Sequence, residues 1–396
     1  MKIKKEAHAG RIERGDLRVT VSPGTGRNIE IKSSIGNMYG DRILADCTAE
    51  LDRLDVSDAN VLIEDDGGLT YVISARVEAA VVAASEEISP HKVSNRKVVL
   101  QPERLRRSRL YIPGNNPALF PNAWLFGADM LLLDLEDSVP PAEKFATRYL
   151  VRNALIDTNF GESEIAVRIN PLSSPFGIDD LEIIVPAGPE IIVLPKAESA
   201  DDVNSLKGEI ARIQKEAGTD FHIGIVPIIE SALGVIKASE IASVEGVVAL
   251  AFGAEDFTKD IGAERTKDAK EQFVARSTVV LAAKAYGKMA SDTVFSDLSD
   301  EEGLIRATEE AKTLGFDGRG LIHPGQVEIV HKVFAPAEDD LVYAVRVIKA
   351  AEEAEKKGSG VVALGRKMID PPVVARARRI LNLAEKMKME IPTIEE

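Results

Sequence analysis

The 396-residue chain carries 64 acidic and 49 basic side chains, a formal net charge of −15, with 45% hydrophobic and 29% charged residues. This is the composition of a globular protein, the length leaves room for a barrel-sized domain and a smaller one, and the acidity argues against general binding to nucleic acid or to an anionic membrane surface. A single cysteine, Cys47, excludes an internal disulfide framework and a cysteine-rich zinc site. The N-terminus lacks the apolar stretch of a signal peptide, and no run nears the ~20 apolar residues of a membrane span, so cytoplasmic residence is the expectation.

Residues 1–85 read as a small α+β domain. Segments 17–21 and 29–32 alternate apolar and polar residues like half-buried strands around the turn Ser22-Pro-Gly-Thr-Gly26. A helix is expected over 41–54, strands at 60–63 and 69–73 around the turn Asp65-Asp-Gly-Gly68, and a closing helix over 76–84. Residues 86–106, with Pro90 and a basic run, read as a linker.

From 107 to 334 strands and helices alternate. Strands are expected near 109–112, 130–134, 165–170, 191–194, 223–229, 247–252, 288–291 and 320–322, with helices between them over 200–217, 268–286 and 300–314. Eight such units predict an α/β fold, a TIM (β/α)8 barrel, rather than an open sheet. The organising stretch is Met130-Leu-Leu-Leu-Asp134-Leu-Glu136-Asp137, a strand buried on both sides that ends in acids. Residues 335–396 lie outside the eight units and predict a helical extension, hinged at Gly358-Ser-Gly360 and carrying Asp370 beside Pro371.

Barrel strands deliver their chemistry at their carboxyl ends. Glu230 and Asp256 are expected to end strands five and six, where two carboxylates with room for waters describe a magnesium site, or else two helix caps. Arg168 ends strand three, as an enolate or carboxylate partner or as an ion pair to Glu136 or Asp137. Lys196 raises the question of a Schiff base, although Glu198 two residues on suggests a paired lysine. His323 reads as a wall residue, and no Gly-x-Ser-x-Gly elbow or Rossmann glycine fingerprint occurs.

Several stretches together carry a family resemblance: Ser108-Arg-Leu-Tyr-Ile-Pro-Gly114, Leu133-Asp-Leu-Glu-Asp137-Ser-Val139, Val167-Arg168-Ile-Asn170, Leu194-Pro-Lys196-Ala-Glu198, Ile229-Glu230-Ser, Gly253-Ala-Glu-Asp256, Ile322-His-Pro324 and Met368-Ile-Asp370-Pro371. From Ser108 to about Ala384 the chain resembles the citrate lyase β subunit and the malyl-CoA and citramalyl-CoA lyases of the HpcH/HpaI aldolase superfamily. The resemblance implies Mg²⁺ on Glu230 and Asp256, Arg168 on the substrate, and Asp370 acting as acid/base from the tail of a neighbouring subunit. It also implies coenzyme A as part of the substrate, a homotrimer or hexamer, and a citrate lyase α-like partner if the chain works within a larger complex. Residues 1–85, through Ala9-Gly10-Arg-Ile-Glu-Arg14-Gly15-Asp16 and Ala75-Arg76-Val-Glu78-Ala79, resemble the citrate lyase γ subunit, an acyl carrier protein. Where that family places the serine of its prosthetic group, this chain has Arg14, and a guanidinium cannot form the phosphodiester.

Overall fold

The computed structural model describes the whole chain except residues 96, 97, 102, 357–361, 365, 366 and 394–396. Its first domain is a four-stranded sheet of β1 (Ala7–Ala9), β2 (Leu17–Ser22), β3 (Arg27–Ser33) and β4 (Ala59–Asp65), in the order β1-β2-β4-β3, with β3 parallel to β4 and the other pairs antiparallel. Alternation does what it predicts in β2: Leu17, Val19 and Val21 are buried, with Arg18 and Thr20 facing away from the core. Two helices complete the domain, α1 (Gly36–Arg53) and α2 (Thr70–Ser85). Cys47 lies on α1, free and buried, and burial pushes its thiol up to about 12.

One sequence expectation fails here. Segment 69–73 is not a strand but the start of α2. Its β-branched residues read as strand, yet α2 is apolar on nearly every side because it is covered twice, by its own sheet and by the barrel, and burial overrides propensity. The contact with the barrel is made to α3 (Pro141–Asp157) and is polar at its centre. Arg152 of α3 forms a buried ion pair with Glu78 of α2, Asn153 donates to the Tyr71 carbonyl, and the Tyr71 hydroxyl donates to the Pro117 carbonyl. The stretch between the domains is pinned as well: Ser89 donates to Glu78, Lys92 to Glu50, and Arg106 pairs with Glu164.

The second domain is a closed barrel of eight parallel strands: β5 (Ser108–Pro113), β6 (Met130–Asp134), β7 (Glu164–Arg168), β8 (Ile191–Leu194), β9 (Gly224–Ile229), β10 (Ala249–Phe252), β11 (Met289–Asp292) and β12 (Gly318–Leu321), with β12 paired to β5. The expected (β/α)8 architecture is thus present. Around the strands lie α3, α4 (Gly177–Ile184), α5 (Ala200–Ala217), α6 (Ala232–Ile236), α7 (Ala238–Ser243), α8 (Ala254–Asp260), α9 (Phe273–Ala285), α10 (Glu301–Leu314) and α11 (Gln326–Phe334). The helix expected from 268 begins later, since Lys270–Gln272 form a 3-10 turn that leads into α9 at Phe273.

Strand parity decides what faces the inside. Met130, Leu132, Ala166, Val226 and Ile228 fill the barrel interior, while Leu131, Leu133, Ile165 and Val167 belong to the shell between strands and helices. Continuing the inward parity by one step places Asp134, Arg168 and Glu230 at the mouth.

The extension includes α12 (Glu338–Lys356), an antiparallel pair of β13 (Val362–Leu364) with β14 (Lys367–Ile369), and α13 (Pro371–Lys386). Residues 358–360, read from the sequence as a hinge, lie outside the described residues. Among the described residues no helix is long and apolar enough to cross a membrane.

Candidate active site

The carboxyl ends of the barrel strands enclose a cavity of about 500 Å³ whose lining includes Tyr111, Asp134, Arg168, Glu230, Gly253 and Asp256. Register explains the first pair: Asp134 of β6 stands opposite Arg168 of β7, both inward. Asp134 accepts two hydrogen bonds from the Arg168 fork, from Nε at 2.6 Å and from Nη2 at 2.9 Å, and its own oxygens also take the backbone N–H groups of Glu136 and Ser138. Burial opposes its ionisation, but Arg168 and these donors hold its carboxyl below the usual range. The outer nitrogen Nη1 lies 2.8 Å from Glu136 and 3.3 Å from Asp137. The expected alternative of an ion pair to Glu136 or Asp137 is therefore present through Nη1, but the main partner of Arg168 is Asp134, the last residue of β6, which the sequence does not reveal.

Glu230 follows β9 directly, and its Oε1 accepts the Lys196 backbone N–H at 2.7 Å. Burial pushes its carboxyl up to about 7; the Lys196 bond opposes the shift and the nearby Asp256 charge adds to it. Asp256 is not at a strand end, as expected, but in the first turn of α8, because β10 stops at Phe252 and Gly253 turns the chain into the helix. Neither acid caps a helix: Ser231 caps α6, and α8 has no side-chain cap. Glu136 is a third acid at the mouth, pushed up to about 8 by burial and by Asp137, Glu230 and Asp134 against the pull of Arg168. Neither of its oxygens has a hydrogen-bond partner among the described residues.

Lys196 pairs with Glu136 at 3.7 Å rather than with Glu198. Desolvation works against its charge, yet Glu136, Asp256, Asp137 and Glu230 together raise its pKa, the reverse of what a Schiff-base lysine needs. His323 is exposed rather than part of the cavity wall, and its Nδ1 accepts the Gly325 N–H. Asp370 is not brought to this mouth. It caps α13 through the Val373 N–H, and α13 is tethered by Arg379 to Asp317 and by Lys386 to Glu103, both on segments that enter the barrel from its opposite end.

The donor set is all oxygen. Glu230, whose proton affinity burial and the nearby Asp256 charge raise, together with Asp256 and the Glu136 carboxylate beside them, fits a hard divalent cation such as Mg²⁺ and not zinc. Among the described residues no three His, Cys, Asp or Glu side chains are grouped to hold a metal by themselves, so waters or a substrate would complete the shell of such an ion.

A parallel barrel with paired acids and a clamped guanidinium at its carboxyl-end face defines a (β/α)8-barrel protein of the acid-lined, metal-using kind. Residues 107–324 match the family described as HpcH/HpaI aldolase/citrate lyase, and the chain belongs to that family. Residues 4–84 match the ACP family, described as malonate decarboxylase delta subunit (MdcD). The chain is 46% identical over 284 residues to the citrate lyase subunit beta of Leuconostoc mesenteroides, covering 71% of this chain and 94% of that one. It is 32% identical over 324 residues to the mitochondrial citramalyl-CoA lyase of Rattus norvegicus, covering 79% and 94%. Among solved structures, CitE from Mycobacterium tuberculosis in complex with magnesium, acetoacetate and coenzyme A aligns with a TM-score of 0.61 at 32% identity, covering 71% of this chain and 98% of that one.

Proposed function

We propose that the chain is a Mg²⁺-dependent carbon–carbon lyase that splits a 3-hydroxy-3-carboxy acyl-CoA thioester (citramalyl-, malyl- or citryl-CoA) into acetyl-CoA and a 2-oxo acid. The observation that carries this reading is the acid pair Glu230 and Asp256 beside the clamped Arg168 in one barrel mouth, in a chain whose relatives include a citramalyl-CoA lyase and a magnesium and coenzyme A complex.

In cleavage the substrate hydroxyl gives up its proton as it becomes the new carbonyl, the bond to the carbon next to the thioester breaks, and its electron pair leaves as a thioester enolate whose α-carbon takes up one proton, so that no proton is gained or lost overall. Bound by Glu230 and Asp256, Mg²⁺ would supply Lewis acidity toward the oxo-acid oxygens. Lys196 holds Glu230 in place through its backbone N–H, and Asp134 holds Arg168 so that its guanidinium offsets the enolate charge without reorganising. Asp370 then acts as acid/base on the carbon that becomes the acetyl methyl. Because Asp370 is tied away from its own mouth, it serves a neighbour's site in a homotrimer or hexamer.

The small domain supports free CoA thioesters as substrates. Its 10–16 loop sits at the rim of the catalytic face, where Arg11 donates to the Asn115 carbonyl and Gly15 packs on Ala118, so the position of Arg14 is where a carrier arm would start. A guanidinium cannot bear that arm. The fused carrier-like domain also favours a second reading, the β subunit of a citrate lyase-type complex with an α-like partner and a separate carrier. Either protein would work in the cytoplasm, which suits a free, buried Cys47.

The experiment is cleavage of the three free thioesters by the purified chain with Mg²⁺, with Asp256→Ala as control. Turnover of one of them, lost in the variant, upholds the lyase. Turnover of none, with activity restored by added carrier and α-like chains, would move the assignment to the second reading. Intact mass of protein from its native host should show no prosthetic group.

A further inference from the structure

The barrel interior holds a cation with no counterion among the described residues. Arg109 lies low on β5, opposite Met130 of β6 and Gly320 of β12, and shares the inward parity of Tyr111. It is 4% exposed and its Nε has no hydrogen-bond partner. Among the described residues no carboxylate lies within ion-pair distance of it, and its guanidinium contacts the Tyr111 ring at 5.5 Å. Arg168 stacks on the same ring at 5.1 Å, but its charge is answered by Asp134. Gly320 leaves room for the Arg109 head, since a β-carbon there would come within 3.4 Å of Nη2. A second orphan faces the same interior: Ser291 on β11, inward like Met289, has a buried hydroxyl without a partner.

A buried, unpaired guanidinium is strongly unfavourable in the ligand-free protein. Retaining one makes physical sense where a ligand brings the missing negative charge, and Arg109 lines the same cavity as Glu230 and Asp256. The candidate thioesters share one carboxylate and one hydroxyl, and they differ in whether the oxo-acid portion bears a second carboxylate. We propose that Arg109, with Ser291, is the specificity-determining residue that receives this second carboxylate, so that the preferred substrate is the citryl thioester and the released oxo acid is dicarboxylic. The inference rests on the lyase reading and deepens it.

The test uses the full chain with Mg²⁺ and compares wild type, Arg109→Met, Arg109→Lys and Ser291→Ala on citryl-, citramalyl- and malyl-CoA. Arg109→Met is expected to lose on the order of 10²-fold in kcat/KM for citryl-CoA, mostly through KM, with the other two esters unchanged. Arg109→Lys restores part of that loss, and Ser291→Ala shows a smaller loss of the same kind. The ligand-free Tm of Arg109→Met should rise, because the unpaired charge is gone, a readout that a merely structural arginine would move downward. Equal loss on all three esters, or a lowered ligand-free Tm, overturns the proposal. If no ester is turned over, the lyase reading fails by itself. Calorimetric titration with oxaloacetate and pyruvate then still decides: oxaloacetate binding weakened only in Arg109→Met upholds the site, and equal binding by both proteins overturns it.

Discussion

Gly253 and Glu230 are fitted to each other. A β-carbon at 253 would lie 2.5 Å from Glu230 Oε2 and 2.8 Å from its Cβ, inside any tolerable contact, while the φ of −109° at Gly253 is open to every residue. The constraint is therefore space: the turn that carries Asp256 into α8 can approach the Glu230 carboxylate only because residue 253 has no side chain. Gly253→Ala is expected to displace Glu230 and to lower Mg²⁺ affinity and turnover by on the order of 10²-fold, the scale of a ~1 Å misplacement. Mg²⁺ titration calorimetry and a thermal melt would check this, and a large loss of Tm with unchanged Mg²⁺ affinity would contradict it.

Asp134 should matter as much as any residue that touches substrate. Asp134→Asn leaves Arg168 buried with only its outer nitrogen near a carboxylate, and breaking such a pair costs ~3–5 kcal/mol of stability. Turnover should fall further than stability alone explains, because the guanidinium loses its fixed orientation. Denaturant unfolding together with kcat measured well below Tm separates the two effects.

The domain interface is pH-sensitive through Glu78. Burial opposes its charge, but Arg152, Lys92 and Arg53 hold its carboxyl well below the usual range. A depressed folded pKa means that the stabilisation is complete above the ordinary unfolded value near 4.5 and is lost as the pH falls through the folded one. Acid should therefore loosen the contact between α2 and α3. Glu78→Gln should remove that acid dependence and weaken docking at neutral pH, which hydrogen exchange at Tyr71 and Asn153 would reveal. Unchanged protection in the variant would rule this out.

Asp370 and Asp256 belong to different barrels in the proposed assembly. Asp370→Asn and Asp256→Ala chains, each inactive alone, should regain about a quarter of wild-type activity when unfolded together and reassembled in equal amounts, because random pairing makes that share of sites whole. Mixtures that stay inactive, with oligomers formed, would mean that Asp370 serves its own barrel and would rule out the shared site.

Much of this protein is written in its local sequence. The run from Met130 to Asp134 announces a strand buried on both faces, and eight such runs with helices between them leave a closed barrel as the arrangement that covers every apolar surface. Glu230 and Arg168 were legible because strand parity and strand ends are short-range properties. What tertiary structure alone decided is long-range. The sequence could not show that α2, with its strand-like start, is a helix, since the barrel that buries its second face is supplied by residues 46 to 82 positions from Tyr71. Nor could it show that Arg168 belongs to Asp134, that Gly253 makes room for Glu230, or that Arg109 stands without a counterion among the described residues. Pairing across strands and the space left between them follow from barrel register, which no stretch of the chain specifies by itself.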